Sequence, residues 1–108
     1  MDFNEAKKLI LNSGVDLVVG VRMGDYPSPE TLTPILNALK IIFDYYQNSD
    51  EIDKELACVL FGLGFHIQGE VDGALSKGIC VPEQFLEQGM VSLFLRVESI
   101  FEGEWLDE

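Results

Sequence analysis

Basic residues are scarce: seven Lys and Arg stand against nineteen Asp and Glu, which leaves a formal charge of −12 on 108 residues. That balance repels nucleic-acid phosphates and anionic membranes, so neither is an expected partner. It favours attraction to a basic protein. Histidine is reduced to His66 and cysteine to Cys58 and Cys80. Imidazole catalysis needs a partner group, and Cys58 lies about 12 Å from His66 along a helix axis, too far for a dyad within one helix. Cys80 has no flanking residues that suggest an activated thiolate. One histidine and two distant cysteines give no zinc spacing. The run from Asn48 to Glu55 lacks the residue order of a calcium loop. No metal, cofactor or catalytic set is therefore expected, and an enzyme is the least favoured class.

Long apolar runs are missing too. Nothing approaches the about 20 residues that cross a bilayer. The opening Met-Asp-Phe-Asn-Glu lacks the positive region and apolar stretch of a signal peptide, so a cytoplasmic location is expected. The two cysteines are then expected as reduced thiols in the core. Two glycine patterns carry little. Gly62-Leu-Gly64 has no following Lys or Ser/Thr and no preceding strand, so it is no phosphate cradle. Gly20 and Gly24 match G-x-x-x-G, which has weight only in a membrane helix.

What is present is a core. The hydrophobic fraction of 47% is that of a globular chain, and the length suits one acidic helical domain over residues 1–108. Leu56 to Ile67 carries no formal charge apart from any proton on His66. A helix apolar on all sides belongs in the middle of a domain, so this stretch is read as the hub of a bundle, with Leu56, Val59, Leu60 and Leu63 in the core. The glycines within it suggest close approach by another backbone.

Around the hub, Asp2 and Glu5 form a capping-box start to a first helix that Ser13-Gly14 is expected to stop. Val15, Leu17, Val19, Val21 and Met23 alternate with polar residues or glycine, the period of a strand. No second strand is available to pair with it. An extended connector is the favoured reading, over a strand pairing with its own copy or a helical turn broken by Gly20. Ser28-Pro29 opens a strongly periodic helix from Leu32 to Tyr46. Asn48 or Ser49 is expected to cap the hub helix, with Asp50, Glu51 and Asp53 at its positive end. After Ile67 one short helical turn is expected around Val71 to Leu75. Pro82-Glu83 opens a last helix that Gly103 ends. Arg96, with no carboxylate one turn away, is expected to pair with another helix. The fold class is thus all-α: a small single-domain bundle of about four main helices, with an irregular or extended stretch after the first.

Short connections favour antiparallel neighbours. The end of the second helix, the start of the hub and the carboxyl end then share one pole. That pole gathers Asp44, Asp50, Glu51, Asp53, Glu98, Glu102 and Glu104, with Tyr45, Tyr46 and Trp105 beside them. Aromatics set among charges of one sign suit a protein-binding surface. The expected function is a small acidic protein that neutralises or chaperones a basic partner, most concretely an immunity protein or antitoxin covering a toxin such as a nuclease. The plainer reading is a solubilising acidic surface with Tyr46 and Trp105 in the core. The alternative function is a homo-oligomeric scaffold or adaptor, pairing through Val15 to Met23 or the hub.

Overall fold

Four helices form, and local chemistry sets each of their ends. The computed structural model describes residues 1–107. Helix α1 starts at the Asp2–Glu5 capping box and runs through Phe3–Leu9, a π-helical turn at Ile10–Gly14, and Val15–Arg22. Helix α2 is Pro29–Tyr46, with the Ser28 hydroxyl accepting from the Thr31 N–H. Helix α3 joins Lys54–Phe61, a π turn at Gly62–His66, and Ile67–Ser76. Helix α4 opens at residue 83, makes a π turn at Phe85–Gly89 and continues as Met90–Glu102. No strand occurs among the described residues.

The expected connector at Val15 to Met23 is therefore helix, and Ser13-Gly14 does not stop α1. Gly14 takes an ordinary right-handed conformation, and the true stop is Gly24, at φ 84°. There the Asp25 N–H donates to the Gly20 carbonyl (2.7 Å) and the Gly24 N–H to Val21 (3.0 Å), which closes the last turn. Gly78 ends α3 in the same way, with the Ile79 N–H on Ala74 and the Gly78 N–H on Leu75. The single turn expected near Val71 is accordingly three turns of continuous helix. Asp53, rather than Asn48 or Ser49, caps α3 by accepting from the Leu56 N–H at 2.9 Å. Ser49 instead bonds both the N–H and the carbonyl of Glu51.

The Phe3 ring lies on Tyr45, Leu32 approaches Gly89, and Lys7 reaches Asp53. These contacts put α1 antiparallel to α2, α2 parallel to α4, and α1 parallel to α3. The helices pack in the cyclic order α1, α2, α4, α3. The α2–α3 connection therefore crosses the end of the bundle diagonally.

One register runs through all four helices. On α2 the core residues Leu32, Ile35, Leu39 and Ile42, with half-buried Tyr46, advance fourteen residues in four turns. That is the 3.5-residue spacing of bundle helices. On α1 the buried set Ala6, Ile10, Gly14, Leu17 and Val21 advances fifteen residues. So do Leu56, Leu60, Leu63, Ile67 and Val71 on α3, and Phe85, Gly89, Leu93, Val97 and Ile100 on α4. A π turn bonds i to i+5 and takes up one extra residue. An advance of fifteen residues with one such turn thus packs in phase with one of fourteen, and the helix without a π turn is the one that needs none.

Glycine sits at each π turn where a neighbour presses in. A Cβ on Gly14 would stand 2.8 Å from Val59 Cγ1, one on Gly64 2.9 Å from Val97 Cγ1, and one on Gly89 2.7 Å from Leu32 Cδ1. Leu56, Leu60 and Leu63 are fully buried or nearly so, while Val59 is only half-buried. Both cysteines are free and exposed, not in the core. Cys58 lies on the outward face of α3 and Cys80 in the loop before α4, at the end of the bundle away from the chain termini.

Candidate functional site

The antiparallel run of α2 and α3 sends the end of one and the start of the other to a single pole, and α4 ends there as well. A shallow depression of about 500 Å³ at this pole is lined by Tyr45, Tyr46, Ser49, Glu51, Ile52 and Asp53. A second, of about 430 Å³, runs from Tyr46 through Asp50 to the last turn of α4 at Ile100 to Gly103, and includes Glu102. Asp44 lies two residues before the end of α2, and Glu98 one turn before Glu102. Glu104 follows Gly103 and is exposed. The predicted carboxylates thus occupy one end of the molecule.

Their states differ. Asp44 is bonded to Lys40 at 2.9 Å, an exposed pair one helical turn apart. Asp53 caps α3 and stands 3.7 Å from the Lys7 ammonium. Asp50, Glu51, Glu98, Glu102 and Glu104 have no basic side chain within ion-pair distance among the described residues. Exposed pairs contribute about 0–1 kcal/mol, so the two that exist barely offset the local repulsion.

The aromatics divide between surface and core. Tyr45 is 61% exposed although one face of its ring is covered by Phe3, stacked at 3.7 Å. Its opposite face is therefore open. Tyr46 is half-buried, edge-on to Phe3 at 5.6 Å and to Tyr45 at 5.0 Å. Trp105 does not stand as an exposed anchor. It is half-buried against Phe43 at 5.1 Å, with the Lys40 ammonium 4.6 Å and the Arg96 guanidinium carbon 5.1 Å from its ring.

Arg96 explains that position. It donates to Asp107 (2.7 Å) and to the Leu36 carbonyl of α2 (2.7 Å). Its carboxylate partner is thus the chain following α4, not another helix. Ser99 adds a second clamp, accepting from the Leu106 N–H at 2.8 Å while donating to the Leu95 carbonyl. The segment after Gly103 is folded back against α4 and α2, and Trp105 fills the space beneath it.

Sequence reasoning missed the contribution of α1. Its first turn brings Asp2, Phe3 and Glu5 to the same pole, where Phe3 supports Tyr45. The antiparallel argument already used for α2 and α3 would have placed them there.

Elsewhere, a cleft of about 480 Å³ between α1 and α2 has an apolar floor of Leu9, Leu17, Pro34 and Ile35, with Asp16, Asp25 and Tyr26 at its rim. His66 is exposed and meets the edge of Phe61 at 5.1 Å. No three metal-ligating side chains converge among the described residues. No helix among them is long and apolar enough to cross a membrane. Comparison of the chain with protein-family models, curated proteins and solved structures finds no match.

Proposed function

We propose that the chain is an acidic binding protein that covers a basic surface of another protein and acts through contact, not catalysis. The observation that carries this reading is the acidic pole where α2 and α4 end and α3 begins: five of its carboxylates have no basic partner among the described residues, and Glu51 lines one depression with Tyr45, whose ring keeps a face open. Uncompensated carboxylates there speed the approach of a cationic partner, and they lose that effect as salt screens them. An aromatic face beside them accepts a Lys or Arg head group by cation–π contact. The most concrete version is an immunity protein or antitoxin that blocks the cationic site of a nuclease-like toxin in the cytoplasm.

The test uses charge reversal in two places. Asp50→Lys, Glu51→Lys and Glu102→Lys together should abolish capture of a basic protein from source-cell lysate and leave the circular dichroism spectrum unchanged. Asp53 is left alone because it caps α3. Reversal of Glu83 and Glu87, at the start of α4 and the opposite pole, should leave capture intact. Equal loss from both sets would reduce the effect to net charge and defeat the assignment of a site.

A further inference from the structure

The outward faces of α1 and α3 lie side by side, and neither is built for water. Val18 of α1 would be 3.5 Å from a Cβ on Gly62 of α3, so Val15 and Val19, each about half exposed, flank this seam. Across it, the π turn of α3 stacks one turn on the next. Phe61, 48% exposed, meets His66 at 5.1 Å and Phe65 at 4.9 Å, and Phe65 meets Phe94 of α4 at 5.6 Å. From Leu56 to Gly69 the chain has no Asp, Glu, Lys or Arg. This is an uncharged solvent-facing strip on a chain of charge −12.

We propose that this α1–α3 face is a self-association surface, occupied by a second copy of the chain in two-fold symmetry with the two α3 helices antiparallel. Charge selects the occupant. The one ion pair on the α1–α3 seam, Arg22 with Glu70 at 3.1 Å, is neutral as a pair, so a basic partner finds no uncompensated carboxylate within the strip and an anionic membrane no uncompensated cation on that seam. Two identical chains repel everywhere else, so they can meet only where the carboxylates are missing. A symmetric dimer matches the same patch to itself. Antiparallel alignment carries the acidic poles to opposite ends of a body 42 Å long, beyond the screening length of about 8 Å at physiological salt. Parallel alignment would set them side by side. Both poles stay free for partners, so this surface is independent of the proposed function.

The native thiols report the contact directly. Cys58 lies on the outward face of α3, and Cys80 lies on the loop before α4; both are exposed. Under reducing conditions, raising the protein from about 1 µM to about 1 mM should double the sedimenting mass from 12.1 kDa. The Cys58 alkylation rate should fall by more than half, while Cys80 is unchanged. Raising salt from about 20 to about 150 mM should strengthen the pairing by screening, opposite in sign to its effect on a basic partner. Val19→Glu with Phe61→Glu should hold the mass at one chain at all these concentrations. Single-chain mass throughout for the native protein, or equal behaviour of the two thiols, overturns the proposal. So does a double variant that still pairs. If that variant fails to fold, the thiol comparison on the native chain decides alone.

Discussion

Gly64 offers a sharp test of the packing, because two opposing effects can be weighed atom by atom. Replacing a helical glycine by alanine normally stabilises by about 1 kcal/mol. Here the new Cβ would sit 2.9 Å from Val97 Cγ1 and 3.1 Å from Val97 Cβ, well inside the about 3.5–4.0 Å of a favourable carbon contact. Val97 is fully buried and β-branched on a helix, with essentially one side-chain rotamer open to it. It cannot turn aside, so α3 and α4 must part. Overpacking of this kind costs about 1–3 kcal/mol and outweighs the backbone gain. Gly64→Ala should therefore lower the urea midpoint, and Gly64→Leu should lower it further. Val97→Ala removes Cγ1, the nearest atom, and Cγ2; it keeps Cβ at 3.1 Å but leaves a small cavity that lets the helix give by the few tenths of an ångström required. In that background Gly64→Ala should become neutral or stabilising, a coupling of about 1–3 kcal/mol in a double-mutant cycle. Gly73, with no atom within 4 Å of an added Cβ, is the control, and Gly73→Ala should stabilise by about 0.5–1 kcal/mol. A Gly64→Ala protein more stable than wild type, or the same change in both backgrounds, would show that the helices are not in close contact there.

Asp53→Ala should cost about 1 kcal/mol by removing the cap of α3, whereas Asp53→Asn, which keeps an acceptor, should stay within about 0.5 kcal/mol in urea denaturation. Arg96→Met leaves Asp107 and the Leu36 carbonyl without their donor, for a loss of about 2–3 kcal/mol. It should also shift Trp105 emission to the red as the terminal segment lifts away. Deleting Asn12 from the π turn of α1 should leave a folded protein with a loss of at most about 3 kcal/mol in thermal melts, because the turn reverts to α without rephasing the core. Deleting Asn37 from α2 rotates all that follows by about 100°. Leu39, Ile42 and Phe43 then leave the core, at about 1.5–3 kcal/mol each, and the chain should not fold.

The misreading of Val15 to Met23 has a definite physical origin. Leu17 and Val21 are buried, while Val15, Val19 and Met23 point outward. Both sets have the i, i+4 spacing of a helix, and two such sets two residues apart reproduce the alternation of a strand. A helix with one polar face would not have been mistaken. The ambiguity arose because the outward face of α1 is apolar as well. Gly14 misled for a related reason. A glycine after a serine reads as a stop, yet this one stays helical because Val59 and Leu63 of α3 require the space of its missing side chain. That requirement belongs to the neighbouring helix and lies some 45 residues away in sequence. Caps at Asp2 and Ser28 and the stop at Gly103 were readable because both partners of each bond lie within four residues.

The same distinction separates the legible part of the acidic pole from the rest. Its carboxylates follow from helix direction alone, since a short connection fixes which ends meet. Tyr45 and Trp105 have similar surroundings in sequence, aromatics close to acids, but opposite fates. Tyr45 has one ring face on Phe3 and the other open, whereas Trp105 is drawn inward by Arg96 and Lys40. That inward pull depends on Asp107 reaching back to Arg96, a contact no periodicity encodes. The hub shows the converse. Absence of charge predicts burial on every side, and Leu56, Leu60, Leu63 and Ile67 are buried. Yet a corner helix in a four-helix ring always keeps one face outward, and on α3 that face carries Cys58, Phe61, His66 and Gly69. In a chain with nineteen carboxylates, a solvent-facing strip without one needs a cause other than the core. Contact with a second uncharged face provides it.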